Sequence, residues 1–209
     1  MEPIQNDCYY EFDGYSNFIY DYCHSILNHE KIDQVKWANY YEFDILKINT
    51  KKLEQEPILK KIHQKFPIKF MAITKINPDT CFVWHMDGKR GVAINMLIHA
   101  NPNSKTLFGI GGKYYSEEEI NCDDIRTESN GTVDPKSVVI KFIELKYKPK
   151  KFYLFNTRIL HSVLNFTENR YLFTIEFEQD KTELSYKDIF EWLKTENFLK
   201  DLDKPTPSW

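Results

Sequence analysis

Apolar residues recur at three and four positions between Tyr15 and Glu30, where Phe18, Ile19, Tyr22, Cys23, Ile26 and Leu27 fall on one side of an α-helix. The next apolar run, VKWANYYEFDILKIN, sets aromatic and β-branched residues in short alternation and predicts a strand or hairpin. Helical spacing returns over residues 51–66, with Leu53, Ile58, Leu59 and Ile62 on one side, and Pro57 divides this helix or opens its longer half. From Ile68 the period becomes that of strands. IKFMAITKI, CFVWHMD, GVAINMLIHA, TLFGIGG, KYYS, SVVIKFIELKY, KFYLFN, LHSVLNF and RYLFTIEFE are short β-type runs, punctuated by NPDT, NPNS, ESNGTVDP and TEN. Strands at this spacing, with no helix-length segments between them, predict an antiparallel sandwich or barrel. The helical period resumes from Glu183 to Leu199 through Leu184, Ile189, Trp192, Leu193 and Phe198. The expected organisation is one mainly β domain with flanking helices on one face. Residues 1–67 form an amino-terminal support of helix and strand, residues 68–180 the β-core, and residues 181–209 a helix and tail.

Composition removes several function classes. A hydrophobic fraction of 42% and an aromatic fraction of 15% give enough apolar surface to offset the entropy of ordering the chain. A net charge of -3 supplies no basic footprint for a phosphate backbone, so nucleic acid is a disfavoured partner. The amino terminus has no basic segment followed by an apolar core, and no eighteen apolar residues run together, so the expected location is the cytoplasm, with no membrane partner. Cys8, Cys23, Cys81 and Cys122 form no CxxC pair and are expected to be reduced thiols. Few glycines beside abundant Lys, Ile, Asn, Phe and Tyr suit an AT-rich coding genome, bacterial or viral. The oligomeric state stays open.

Candidate chemistry enters with CFVWHMDGKR. Residues i and i+2 of a strand face the same way about 6.6 Å apart, so His85 and Asp87 project side by side and can reach one cation. Alone, this HxD reads first as an ordinary histidine–carboxylate hydrogen bond at a strand end. A second strand-borne histidine, His161, stands in FNTRILHSVLNFTENR, and the turn after it predicts a hairpin that sets Arg170 on the strand beside it. Two histidines and a carboxylate make the facial triad of non-haem iron.

HMD followed far down the chain by HSVLN, with an arginine nine positions after the histidine, resembles the signature of the Fe(II)- and 2-oxoglutarate-dependent dioxygenases, and among them the aspartyl/asparaginyl β-hydroxylase and prolyl hydroxylase branches. The resemblance covers about residues 68–180 and implies a double-stranded β-helix, a jelly-roll, cupin-like fold. It implies that His85, Asp87 and His161 hold Fe(II) and that Arg170 receives the distal carboxylate of 2-oxoglutarate, as its planar fork suits. The activity implied is hydroxylation of an aliphatic carbon of an amino acid or peptidyl side chain by O2, with succinate and carbon dioxide released and ascorbate a candidate reductant. The partner is then a small molecule or a peptide or protein substrate.

The chain departs from the family pattern at Leu172, where some members carry a serine or threonine as second carboxylate partner; Thr174 or a tyrosine is the candidate substitute. Glu176 stands where the nucleic-acid demethylases place a further arginine. Asn95 is expected on a neighbouring strand as a second cofactor-binding residue, against the alternative of a buried amide satisfied by backbone. Trp84 and Arg90 either line the substrate mouth or pack in the core, Arg158 could meet an acidic substrate group, and His99 reads better as exposed than as a ligand. KYKPKK reads as a solvated face, and residues 101–135 as a loop that covers the metal site. Two rivals remain: a cupin-type metalloenzyme that does not use 2-oxoglutarate, and a barrel kept as a binding module.

Overall fold

Eleven strands are present among the described residues of the computed structural model, which are 5–12, 14–28, 37–40, 43–111 and 141–195. They are β1 (Tyr9–Glu11), β2 (Ala38–Tyr40), β3 (Phe43–Ile48), β4 (Ile68–Ile76), β5 (Thr80–His85), β6 (Val92–His99), β7 (Lys105–Gly111), β8 (Lys141–Glu144), β9 (Tyr153–Asn156), β10 (His161–Asn165) and β11 (Arg170–Phe177). One sheet has the order β1-β9-β6-β11-β4-β3-β2 and the other β5-β10-β7-β8, every pair antiparallel. From β4 onward the chain crosses from sheet to sheet at each step except β7 to β8, which is the winding of a double-stranded β-helix.

Alternation on the large sheet separates two interiors. Met71, Ile73, Ile94, Met96, Leu154, Phe173 and Ile175 point to the helix side and form one apolar cluster with it. Three helices bury one face each in that cluster: α2 (Asn17–Leu27), α3 (Pro57–Lys65) and α4 (Tyr186–Thr195), after a single short turn α1 (Gln5–Cys8). The Ser16 hydroxyl accepts from the Ile19 N–H at 3.2 Å and starts α2. Pro57 opens α3 after a 3-10 turn over Thr50–Gln55, so it both divides the segment and begins the longer helix. Ser185 and Asp188 cap each other's backbone N–H at the start of α4. A Cβ on Gly91 would run into the Leu184 carbonyl, so only glycine lets β6 enter beneath the segment before α4.

Two expectations are corrected. β10 and β11 do not form a hairpin: β11 spends its two edges on β4 and β6, and β10 spends its own on β5 and β7. The turn between them therefore carries the chain across to the other sheet. The Asn165 amide fixes that corner by donating to the carbonyls of Ile76, Asn77 and Glu168 at 3.1, 2.8 and 2.8 Å. KYKPKK is not simply a solvated face. Lys151 is buried, donates to the Phe12 carbonyl at 3.1 Å and stands over the Tyr15 ring, while Tyr147 turns inward toward Arg170. The KYYS run, Cys122, most of residues 101–135 and the end of the last predicted helix lie outside the described residues.

Candidate metal centre

β5 ends at His85, and its alternation decides what that strand offers each side. Trp84 and Met86 pack outward with Leu107 and Leu160, which makes Trp84 core rather than mouth. His85 points the other way and is the cross-strand partner of His161 on β10, their ring centres 4.3 Å apart. Asp87 lies just past the strand, so it is a loop residue and not the strand neighbour that the spacing suggested. Its Oδ1 stands 3.7 Å from the Nε2 of His85 and 3.8 Å from the Nε2 of His161.

Those separations are too long for hydrogen bonds. They suit three groups that share one cation, because two ligands each about 2.1 Å from an ion lie within roughly 4.2 Å of each other. The three ligand atoms all fall within 4.8 Å of one another. The Nδ1 of His161 lies 2.8 Å from the Ile159 carbonyl, to which it can only donate, so the neutral ring presents a bare Nε2 to the centre. Burial, the largest influence, pulls the His161 pKa down, against the opposing pull of Asp87, and so favours that metal-binding form. Burial pushes the Asp87 carboxyl up, but Arg90, His161 and His85 together hold it below the usual carboxylate range. A carboxylate and two lone-pair nitrogens at these distances could hold a divalent metal.

Arg170, at the start of β11, reaches over from the opposite sheet. Its Nη1 donates to the Ser104 hydroxyl at 3.1 Å and the Lys105 carbonyl at 3.2 Å, and its Nη2 to the Thr106 hydroxyl at 2.6 Å. Nε has no partner among the described residues, and no carboxylate among them acts on the guanidinium charge. Burial of so poorly balanced a cation lowers its pKa. Thr106 and Phe108 lie two apart on β7, about 6.6 Å along the strand, and the Phe108 ring packs 6.2 Å from that of His161. The guanidinium is therefore held one pleat along β7 from the residue that pairs with His161.

Two further groups stand beside the guanidinium. Asn95 is on β6 of the large sheet, not beside β5, because β6 pairs with β9 and β11; its Oδ1 accepts from the Thr174 hydroxyl at 2.7 Å. The Tyr147 phenol is raised by burial and drawn back by the Arg170 charge and by hydrogen bonds to Thr106, Asn95 and Arg170. Ser104, Thr106 and Tyr147 escaped the sequence reading. Tyr147 sits in a lysine-rich run after β8 with no periodicity to place it, and only the missing hydroxyl at Leu172 hinted at a tyrosine. His99 lies off the site, half-exposed and 3.2 Å from Glu168. Arg158 donates to the Asp87 carbonyl at 3.1 Å.

No protein-family profile and no curated protein matches this sequence. Solved structures do match it in shape. HygX from Streptomyces hygroscopicus, crystallised with nickel, 2-oxoglutarate and hygromycin B, aligns at TM-score 0.57 and 9% identity over 83% of this chain and 84% of that one. SnoN, a non-haem alpha-ketoglutarate-dependent epimerase of nogalamycin biosynthesis, aligns at 0.54 and 9% over 83% and 78%. A Trichoplax adhaerens prolyl hydroxylase, in complex with a hypoxia inducible factor oxygen degradation domain peptide, aligns at 0.52 and 12% over 82% and 83%. The chain has the double-stranded β-helix fold of the Fe(II)/2-oxoglutarate oxygenases. Among the described residues no helix is long and apolar enough to cross a membrane.

Proposed function

We propose that this chain is an Fe(II)- and 2-oxoglutarate-dependent oxygenase that hydroxylates an aliphatic carbon of an amino acid or peptidyl side chain. One observation carries the reading: the His85, Asp87 and His161 triad shares an interior with a buried arginine whose charge no carboxylate among the described residues balances. Two imidazoles and one carboxylate suit Fe(II). The bound metal would supply the place where keto acid and O2 meet, in a reaction that turns substrate C–H, O2 and 2-oxoglutarate into C–OH, succinate and carbon dioxide.

The residues do the rest. His85, Asp87 and His161 would bind the metal on one side only and leave its other side for the keto acid and O2. Arg170 would bind the distal carboxylate, with Tyr147 as its second donor, and the pleat between Arg170 and His161 suits the length of a five-carbon diacid. Asn95, held by Thr174, would orient the cosubstrate beside Tyr147. The buried Phe108 and Phe155 rings, packed on His161, would keep bulk water from that flank of the metal.

The prolyl or aspartyl type rests on HSVLN and the position of Arg170. Relatives in fold that hold hygromycin B or a peptide allow a small-molecule or a peptidyl substrate. An anaerobic mixture of protein, Fe(II) and 2-oxoglutarate is expected to show a weak visible charge-transfer band. The band should vanish in His161→Ala and require about tenfold or more keto acid in Arg170→Ala. Iron binding without a band at any keto acid concentration would instead support a cupin-type enzyme that does not use 2-oxoglutarate.

A further inference from the structure

Asp87 lies beyond the end of β5, so the sheet ladder does not position it; something else must. Its N–H donates to the Thr157 carbonyl at 2.9 Å, and its own carbonyl accepts from Arg158 Nη1 at 3.1 Å. The buried Thr157 hydroxyl donates to the Arg90 carbonyl at 2.6 Å. The Arg90 Nε closes the circuit with a charge-assisted bond to Asp87 Oδ2. The two carboxylate oxygens are thereby given different tasks. Oδ1 faces both histidines, and Oδ2 is taken up by Arg90.

Resting on the metal-site reading above, we infer that Arg90 is a positioning residue that restricts Asp87 to a single-oxygen metal ligand. A carboxylate free to turn could offer both oxygens and occupy a position that the keto acid or O2 requires. Arg90 is not placed there to attract the metal, since its guanidinium repels a divalent cation. Its benefit is orientation, which the Thr157–Arg158 turn reinforces from the β9–β10 connection.

These two effects of Arg90 have opposite signs, and that makes the inference testable. Co(II) is titrated into metal-free wild type, Arg90→Met, Arg90→Lys and His161→Ala, followed by the cobalt d–d absorption, with a thermal melt of each apoprotein. Loss of orientation is expected to weaken Co(II) binding about tenfold or more in Arg90→Met and to change the band shape. Arg90→Lys, which keeps charge and a donor on a side chain 31% exposed, should recover most of the affinity. Unchanged or tighter Co(II) binding by Arg90→Met, with the wild-type band shape, would overturn the inference, as would a lowered melting temperature with no change in the cobalt signal. Should Arg90→Met not fold, Arg90→Gln takes its place: it offers a neutral donor but no charge-assisted bond, so wild-type Co(II) affinity and band shape in Arg90→Gln refute the role. Equal Co(II) binding by wild type and His161→Ala would sink the metal-site reading itself, a result distinct from failure at Arg90 alone.

Discussion

The two faces of β11 both carry buried side chains, and these are chemically opposite. Phe173 and Ile175, both 0% exposed, point into the apolar cluster beneath the helices. Arg170, at 2%, and Thr174, at 5%, point toward the second sheet with the side-chain partners already described. Burial alone thus does not separate core from site. On the helix face of β11 the buried apolar side chains lower the free energy by leaving water. On the other face buried polar groups carry a desolvation cost that the fold does not need, and that cost marks the face built to bind something.

Breaking the helix face should give the largest effect. Phe173→Ala is expected to lose about 3–5 kcal/mol in a denaturant melt, through lost transfer energy and the cavity left behind. Arg170→Met should reverse the balance. Its stability should lie near wild type or above, because a poorly paired buried cation has been replaced by apolar volume. Its 2-oxoglutarate affinity, read from the charge-transfer band, should fall about tenfold or more, and Arg170→Lys should not restore it. A destabilised Arg170→Met with unchanged keto acid binding would make the residue structural. Tyr147→Phe removes one neutral donor, worth about 1 kcal/mol, so keto acid binding should weaken about fivefold.

The smallest effect concerns two carboxylates, one buried and one partly buried, whose pKa values move in opposite directions. Burial raises Glu56 on the helix side, against hydrogen bonds from Ser16 and the Ile58 backbone, whereas Arg90 and the histidines hold Asp87 down. Glu56 therefore holds its proton more tightly folded than unfolded, and its charge costs stability once pH rises through the raised pKa. Glu56→Gln should melt slightly higher than wild type in mildly alkaline buffer. The difference should shrink on acidification and disappear below pH 4.5, where the residue is protonated folded or unfolded alike. A variant that melts lower than wild type in alkaline buffer, by a deficit that shrinks on acidification, would mean that the Glu56 charge is paired rather than tolerated.

Much of this was legible along the chain. The period of three and four located α2, α3 and α4, and alternation located the strands of the core. His85 and His161 were legible because HxD and HSVLN are local patterns. The pairing of β10 with β5 and β7 was not, because a short turn between two β-type runs reads as a hairpin whenever neither strand's edges are known to be taken. Asn95 was legible as a strand residue, but its place opposite β5 rather than beside it was not, because β6 pairs with β9 and β11.

The sequence by itself determined the kind of each element, the alternation that turns His85 inward and Trp84 outward, and the residue types capable of holding a metal. Tertiary structure alone decided that Arg170 reaches from the opposite sheet to Thr106 on the strand that pairs with His161, that Tyr147 and Asn95 join it there, and that Arg90 and the Thr157–Arg158 turn hold Asp87. Side-chain period is a property of neighbouring residues and survives in a linear reading. Which strand edges and which distant loops meet is set by the mutual exclusion of hydrogen-bonding partners, and only the folded chain resolves that competition.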